Sequence, residues 1–203
     1  NITIHKRSIV MRIAIIDYGA GNTQSVKYAL KRLGCEGVLT SDKEVISNSD
    51  KVIFPGVGQA SSAMKKLKSK SLDLLIPKLK QPVLGICLGM QLMCDFSAEG
   101  NTDCLKIFDS NVKRFNNSLK VPQIGWNTVF DLKSSLFDSI NENEYMYLVH
   151  SYYVPILTET VATSNYGLNY STAIKKNNFT GVQFHPEKSG SKGEVVLKNF
   201  INN

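Results

Sequence analysis

The chain predicts an α/β fold of three layers, a mainly parallel central sheet with flanking helices and antiparallel additions. Two patterns carry that expectation. Up to Gly100, apolar strand-like runs alternate with amphipathic helical stretches, the rhythm of a parallel sheet with crossover helices. Beyond Gly100 the segments become short, β-branched or aromatic, and are separated by Asn, Ser and Gly, as in antiparallel strands. No internal repeat, linker or low-complexity stretch interrupts the 203 residues, so a single domain is expected over 11–203.

The elements follow in order. Arg12-Ile13-Ala14-Ile15-Ile16 begins a strand over 12–17, and 22–33 reads as a helix ending near Gly34. A second strand covers 51–54. A helix occupies part of 59–79, with Met64, Leu67, Leu72, Leu74 and Leu75 available for its buried side. Pro82-Val83-Leu84-Gly85-Ile86 is a short buried strand, and a helix is expected over 88–96. Six strands follow, at 112–115, 127–130, 145–149, 161–164, 171–175 and 179–184. The tail 191–201 is helical, with Val195, Val196, Phe200 and Ile201 forming an apolar stripe.

Composition narrows the function. The hydrophobic fraction, 42%, is ordinary for a soluble protein, and no apolar run approaches a membrane span. Residues 1–10 lack the apolar core of a signal peptide, so Met11 is the expected natural start and 1–10 a leader. The four cysteines (35, 87, 94 and 104) show neither C-x-x-C spacing nor a disulfide framework, which suits a reducing cytoplasm. A net charge of +7 raises the question of nucleic acid, as does Lys65-Lys66-Leu67-Lys68-Ser69-Lys70. These lysines fit the solvated face of the helix within 59–79, and no nucleic-acid motif accompanies them. The basic balance suits instead an acidic or phosphorylated partner.

Chemistry concentrates in two segments. Gly85-Ile86-Cys87-Leu88-Gly89 has the G-x-nucleophile-x-G form, in which small residues let a strand turn sharply into a helix with the nucleophile at the bend. A thiol there has backbone N–H groups and a helix N-terminus beside it, which favours the thiolate. His185-Pro186-Glu187 supplies a base and a carboxylate to orient it; in an extended chain both would project to one side. Only three histidines exist, and His5 lies in the leader, so His150 and His185 are the candidate bases. Cysteine, histidine and carboxylate together are the arrangement for nucleophilic acyl transfer.

These segments, with Met90-Gln91 after the first and Gly181-Val182-Gln183-Phe184 before the second, resemble the class I (triad) glutamine amidotransferases. Narrower matches point to the glutaminase subunits of imidazole glycerol phosphate synthases. They are Ile15 to Asn22, Phe54-Pro55-Gly56-Val57-Gly58, Ile124-Gly125-Trp126-Asn127, Val149-His150-Ser151-Tyr152-Tyr153 and Glu187-Lys188-Ser189-Gly190. The resemblance runs from about Met11 to the C-terminus. Three stretches depart from the pattern: Gln123 stands where histidine is usual, 104–108 is less glycine-rich, and 155–178 matches weakly.

The resemblance implies a Cys87–His185–Glu187 triad and no metal or cofactor. Leu88 N–H is the natural first oxyanion donor, and Gly56 and Val57 supply the second by analogy. Gly58, Gln91, His150, Ser151 and Tyr152 match positions around bound glutamine; by residue type alone His150 would be a hydrogen-bonded structural histidine. The implied partner is a (β/α)8-barrel cyclase. Asn22, Gln123, Trp126, Asn127 and Lys188 match positions near its interface, although a lone tryptophan is equally at home in a core. The departures leave a second pathway open: a paralogous glutaminase feeding a sugar amidotransferase in glycan or surface-polysaccharide synthesis.

Overall fold

A computed structural model describes residues 11–203; the expected leader, 1–10, lies outside the described residues. The first half lays down β1 (Ile13–Ile16), α1 (Thr23–Arg32), β2 (Gly37–Thr40), α2 (Lys43–Ser47), β3 (Lys51–Gly56), α3 (Ala60–Ser69), α4 (Leu72–Leu75), β4 (Val83–Cys87) and α5 (Leu88–Leu92). The second half adds β5 (Cys94–Ser97), β6 (Thr102–Asp103), β7 (Phe108–Arg114), β8 (Gln123–Val129), β9 (Glu144–His150), β10 (Tyr152–Tyr153), β11 (Thr160–Asn165), β12 (Asn169–Lys176), β13 (Phe179–Val182) and α6 (Gly190–Asn202).

Seven strands form the main sheet in the order β11-β12-β13-β4-β3-β1-β2. From β13 to β2 every neighbouring pair is parallel, and the antiparallel additions are β12 on β13 and β11 on β12. Alternation along β1 explains the three layers. Ala14 and Ile16 face a core containing Met64 and Leu67 of α3, whereas Ile13 and Ile15 face a second containing Leu30 of α1 and Val196 of α6. A four-stranded sheet (β10-β7-β5-β6) and the β8–β9 ribbon complete the fold.

Several expectations need correction. The helix expected over 88–96 ends at Leu92, because 94–97 become β5 and pair with β6 and β7. Within 59–79 the expected helix is α3, and Ser71, at φ 52°, separates it from α4, where Leu74 is exposed rather than on the buried side. The strands expected at 112–115 and 127–130 begin earlier, at Phe108 and Gln123. Edge strand β2 was missed because only its Gly37 is buried, which leaves no apolar signal. Short α2 was also missed, although Asp42 caps it by accepting from the N–H groups of Glu44 and Val45. In the tail, Val196, Phe200 and Ile201 are buried as expected, and Val195 is only half-buried.

This topology brings three strand ends together. Gly56 at the end of β3 lies opposite Cys87 at the end of β4, and Val182 at the end of β13 lies opposite Ile86. The candidate site forms where these carboxyl ends meet the β9–β10 corner.

Candidate active site

Cys87 is both the last residue of β4 and the residue preceding α5, with φ 54° and ψ −111°. A side chain strongly disfavours that conformation, so the surrounding packing must impose it. Gly89 shows how. A Cβ there would run into the Phe54 carbonyl oxygen, so only glycine lets α5 press directly onto β3. Gly56 is similarly confined: its Cβ would lie 2.8 Å from both the Gly89 nitrogen and the Tyr18 hydroxyl. The sharp bend predicted by the G-x-C-x-G pattern is therefore present, with the thiol at its apex.

His185 comes off the end of β13, anchored by its N–H donating to Tyr147 O at 2.9 Å and by its carbonyl accepting from Ser189 Oγ at 2.7 Å. Its Nδ1 lies 2.8 Å from Glu187 Oε1, and the two side chains are only 4% and 1% exposed. The chain is not extended here: Pro186–Lys188 forms a 3-10 turn, and it is this turn that brings Glu187 back to the imidazole. Glu187 Oε2 is buried without a hydrogen-bond partner among the described residues. Burial alone would discharge the His185 ring; the neighbouring Cys87 sulfur and Glu187 carboxylate override it and push the imidazole up to about 10. His185 is thus held as an imidazolium at neutral pH, with an acceptor at Nδ1.

His150 behaves oppositely. Desolvation pulls it down to about 4, with the positive charge of His185 adding to the effect. It is neutral, its Nδ1 is 2.7 Å from Tyr152 O, and Nε2 is 3.4 Å from the Tyr170 hydroxyl. Because a carbonyl can only accept, the proton sits on Nδ1 and Nε2 carries none.

A cavity of about 320 Å³ opens over Cys87, close to the lower end of the usual range for small-ligand sites. Val57, Gly58, Leu88, Gln91, His150, Ser151, Tyr152, His185 and Lys188 line it together with Cys87. Of the expected site residues, Gly56 and Glu187 stand behind this surface. Three lining residues were not anticipated: Glu99, Pro122 and Val149. Glu99 Oε2 accepts from Ala60 N at 2.9 Å, and its carboxyl is raised above the usual carboxylate range by burial. Gln183, fully buried beside the thiol, was also missed, although strand alternation puts it on the same side as His185.

The expected interface residues separate into two groups. Trp126 is 55% exposed and stacks edge-on against Tyr147, so it is not a core tryptophan. Lys188 is exposed, and Asn22 and Asn127 are half-buried. Gln123, by contrast, is turned inward, where its Oε1 accepts from the Tyr170 hydroxyl at 3.1 Å; its side chain is not on offer to a partner.

Comparison with known proteins agrees with this geometry. The family described as Glutamine amidotransferase class-I matches residues 14–203. Imidazole glycerol phosphate synthase subunit HisH of Bacteroides fragilis (strain YCH46) is 57% identical over 194 residues, 94% of this chain and 99% of that one. The same subunit of Haemophilus influenzae (strain ATCC 51907) is 50% identical over 194 residues, 95% of this chain and 98% of that one. Among solved structures, PurLQS from Thermotoga maritima superposes with a TM-score of 0.70 at 16% identity, covering 96% of this chain and 99% of the other. A glutamine amidotransferase of the same organism gives 0.63 at 20% identity, covering 95% and 81%. These two structures speak for the fold, while the sequence relatives speak for the family. A buried cysteine–histidine–glutamate cluster at a strand-to-helix bend, with relatives at such identity along nearly the whole chain, leads to one conclusion: the chain belongs to the class-I glutamine amidotransferases, and within them to the family of imidazole glycerol phosphate synthase HisH subunits.

Proposed function

We propose that this glutaminase works through Cys87, His185 and Glu187 and passes ammonia to a (β/α)8-barrel cyclase in histidine biosynthesis. The observation that carries the reading is the buried His185–Glu187 pair, 2.8 Å apart, beside a thiol that opens onto a cavity. The Cys87 sulfur, its proton on His185, attacks the side-chain carboxamide carbon of glutamine. The oxyanion is met by Leu88 N–H and by the backbone at Gly56–Val57. As the tetrahedral intermediate collapses, the C–N bond breaks and the nitrogen takes the His185 proton to leave as ammonia. Water, deprotonated by His185, then hydrolyses the glutamyl thioester to glutamate and restores the thiol. Glu187 keeps the imidazole oriented and its charge compensated throughout.

Gln91, Ser151, Tyr152 and Gly58 frame the substrate, with neutral His150 as part of the wall rather than as a base. Glu99 lines the same cavity, and its carboxylate would be the group to meet the substrate's α-ammonium. On the outside, exposed Trp126 and Ile124 on β8 and Tyr145 on β9 offer an apolar surface for the cyclase, and Asn22, Asn127 and Lys188 would contribute polar contacts. The cyclase would use the ammonia to make imidazole glycerol phosphate and AICAR, and its ligand would raise glutaminase turnover across the interface. We read residues 11–203 as one domain acting in the cytoplasm, where the four free cysteines stay reduced. The glycan-pathway reading is not favoured, because relatives 46–57% identical carry the histidine-pathway name.

The test is glutamate release from glutamine by the chain alone, with the cyclase, and with the cyclase plus its phosphoribosyl substrate. Strong stimulation in the full mixture is expected, and Cys87→Ala should remove turnover while still binding the cyclase. Turnover surviving in Cys87→Ala would end the nucleophile assignment; weak turnover that the cyclase never raises would end the partner assignment.

A further inference from the structure

Strands β13 and β4 run parallel with Val182 opposite Ile86, so the next residues along each, Gln183 and Cys87, come level at the strand ends. Gln183 is fully buried. Its Nε2 lies 3.6 Å from Cys87 Sγ, and its Oε1 accepts from Gln91 Nε2 at 2.8 Å. Gln91 Nε2 also donates to Tyr152 O at 2.9 Å.

These contacts fix the sense of both amides. Tyr152 O can only accept, so Gln91 must turn its NH2 toward it. The same NH2 then faces Gln183, which must answer with its oxygen. Gln183 has no choice left: its own NH2 points at the sulfur. A reversed Gln183 would set two donors face to face and leave the sulfur beside an acceptor. The thiol's other contact is different. Val149 O, 3.7 Å from Sγ, can only accept and therefore pairs with the S–H form. An N–H donor pairs with the charged sulfur.

We propose that Gln183 is a further catalytic residue, an N–H donor that stabilises the Cys87 sulfur whenever it carries negative charge. It would act twice: on the attacking thiolate, and on the sulfur as it leaves the glutamyl thioester during hydrolysis. Gln91 is the positioning residue that holds the donor in place, which links the substrate wall to the nucleophile through one buried amide chain. This inference rests on Cys87 being the nucleophile proposed above.

The experiment uses the cyclase-bound chain and two variants. Gln183→Glu keeps the acceptor for Gln91 and the side-chain volume but removes the donor. Gln183→Met removes both without adding charge, and it reads the same quantities should Gln183→Glu not fold. Alkylation of Cys87 by iodoacetamide is followed against pH, with Cys87→Ala subtracted for the other three cysteines, alongside kcat and KM for glutamine. The expected result is an alkylation midpoint raised by about one pH unit. Turnover should fall about tenfold, with KM for glutamine within about threefold. A purely structural role would lower Tm and leave the alkylation midpoint in place, and that outcome overturns the inference. Inactive Cys87→Ala beside normal Gln183 variants would sink only the Gln183 role; active Cys87→Ala would sink the nucleophile reading itself.

Discussion

His150 and His185 line the same cavity and are about equally buried, at 5% and 3% exposure, yet they are held in opposite charge states. Burial pushes both toward neutrality. What separates them is what each nitrogen meets. His185 has the Glu187 carboxylate at 2.8 Å and the Cys87 thiol beside it, two groups that can be negative. His150 has a backbone carbonyl at 2.7 Å and a tyrosine hydroxyl at 3.4 Å, neither of which repays the loss of water around a cation. Aromatic packing from Phe115, its ring centroid 5.2 Å away, adds to that dryness. Residue type and burial therefore do not identify a base; the charge of the partners does.

The largest effect should come from removing the charged histidine. His185→Gln is expected to lower kcat about 10⁴-fold, since no other described group stands ready to carry the proton. Steady-state glutamate release checks this, and residual turnover within tenfold of the parent would return His150 to contention. Next, Glu187→Gln keeps volume but removes the charge that holds the imidazolium. A loss of about 10²–10⁴-fold in kcat is expected, with the alkaline limb of the kcat–pH profile moving to lower pH. A smaller change belongs to His150→Gln, a KM increase of about three- to tenfold with kcat nearly unchanged. A comparable loss in kcat would show that the neutral ring touches the reaction after all.

The finest contrast is in stability against pH. His185 has a folded value of about 10 against 6.5 when unfolded. Its contribution is complete below 6.5 and is lost as pH rises toward 10. For His150 the folded value is about 4, so stability is intact above 6.5 and falls as pH drops toward 4. Urea midpoints measured across this range should decline on both sides of 6.5. His150→Gln should flatten the acid slope and His185→Gln the alkaline one. Interchanged slopes would mean that the two charge states have been assigned the wrong way round.

How much of this was legible in the sequence depended on whether a feature was local. β1, β3 and β4 are buried along their length and read as apolar runs. β2, β6 and β10 are short and partly exposed, so hydrophobic patterning had nothing to grip. Cys87, His185 and Glu187 each sit in a local motif whose residue types announce their chemistry. Glu99 does not: it reaches the cavity by capping Ala60, 39 positions earlier in the chain, a relation only the fold creates. The inward turn of Gln123 was hidden for a related reason. Its position suggested a surface, but its amide satisfies Tyr170 inside, and the exposed residues of the same strand are Ile124 and Trp126.

The missing side chain at Gly89 has a mechanical consequence. With α5 seated directly on the Phe54 carbonyl and Gly56 wedged between Tyr18 and Gly89, the Cys87 bend and the end of β3 are packed backbone to backbone. The first residues clear of that packing are Val57 and Gly58, both exposed, the latter at φ +99°. The floor of the cavity is thus close-packed backbone, while its rim at Val57 and Gly58 stands open to solvent.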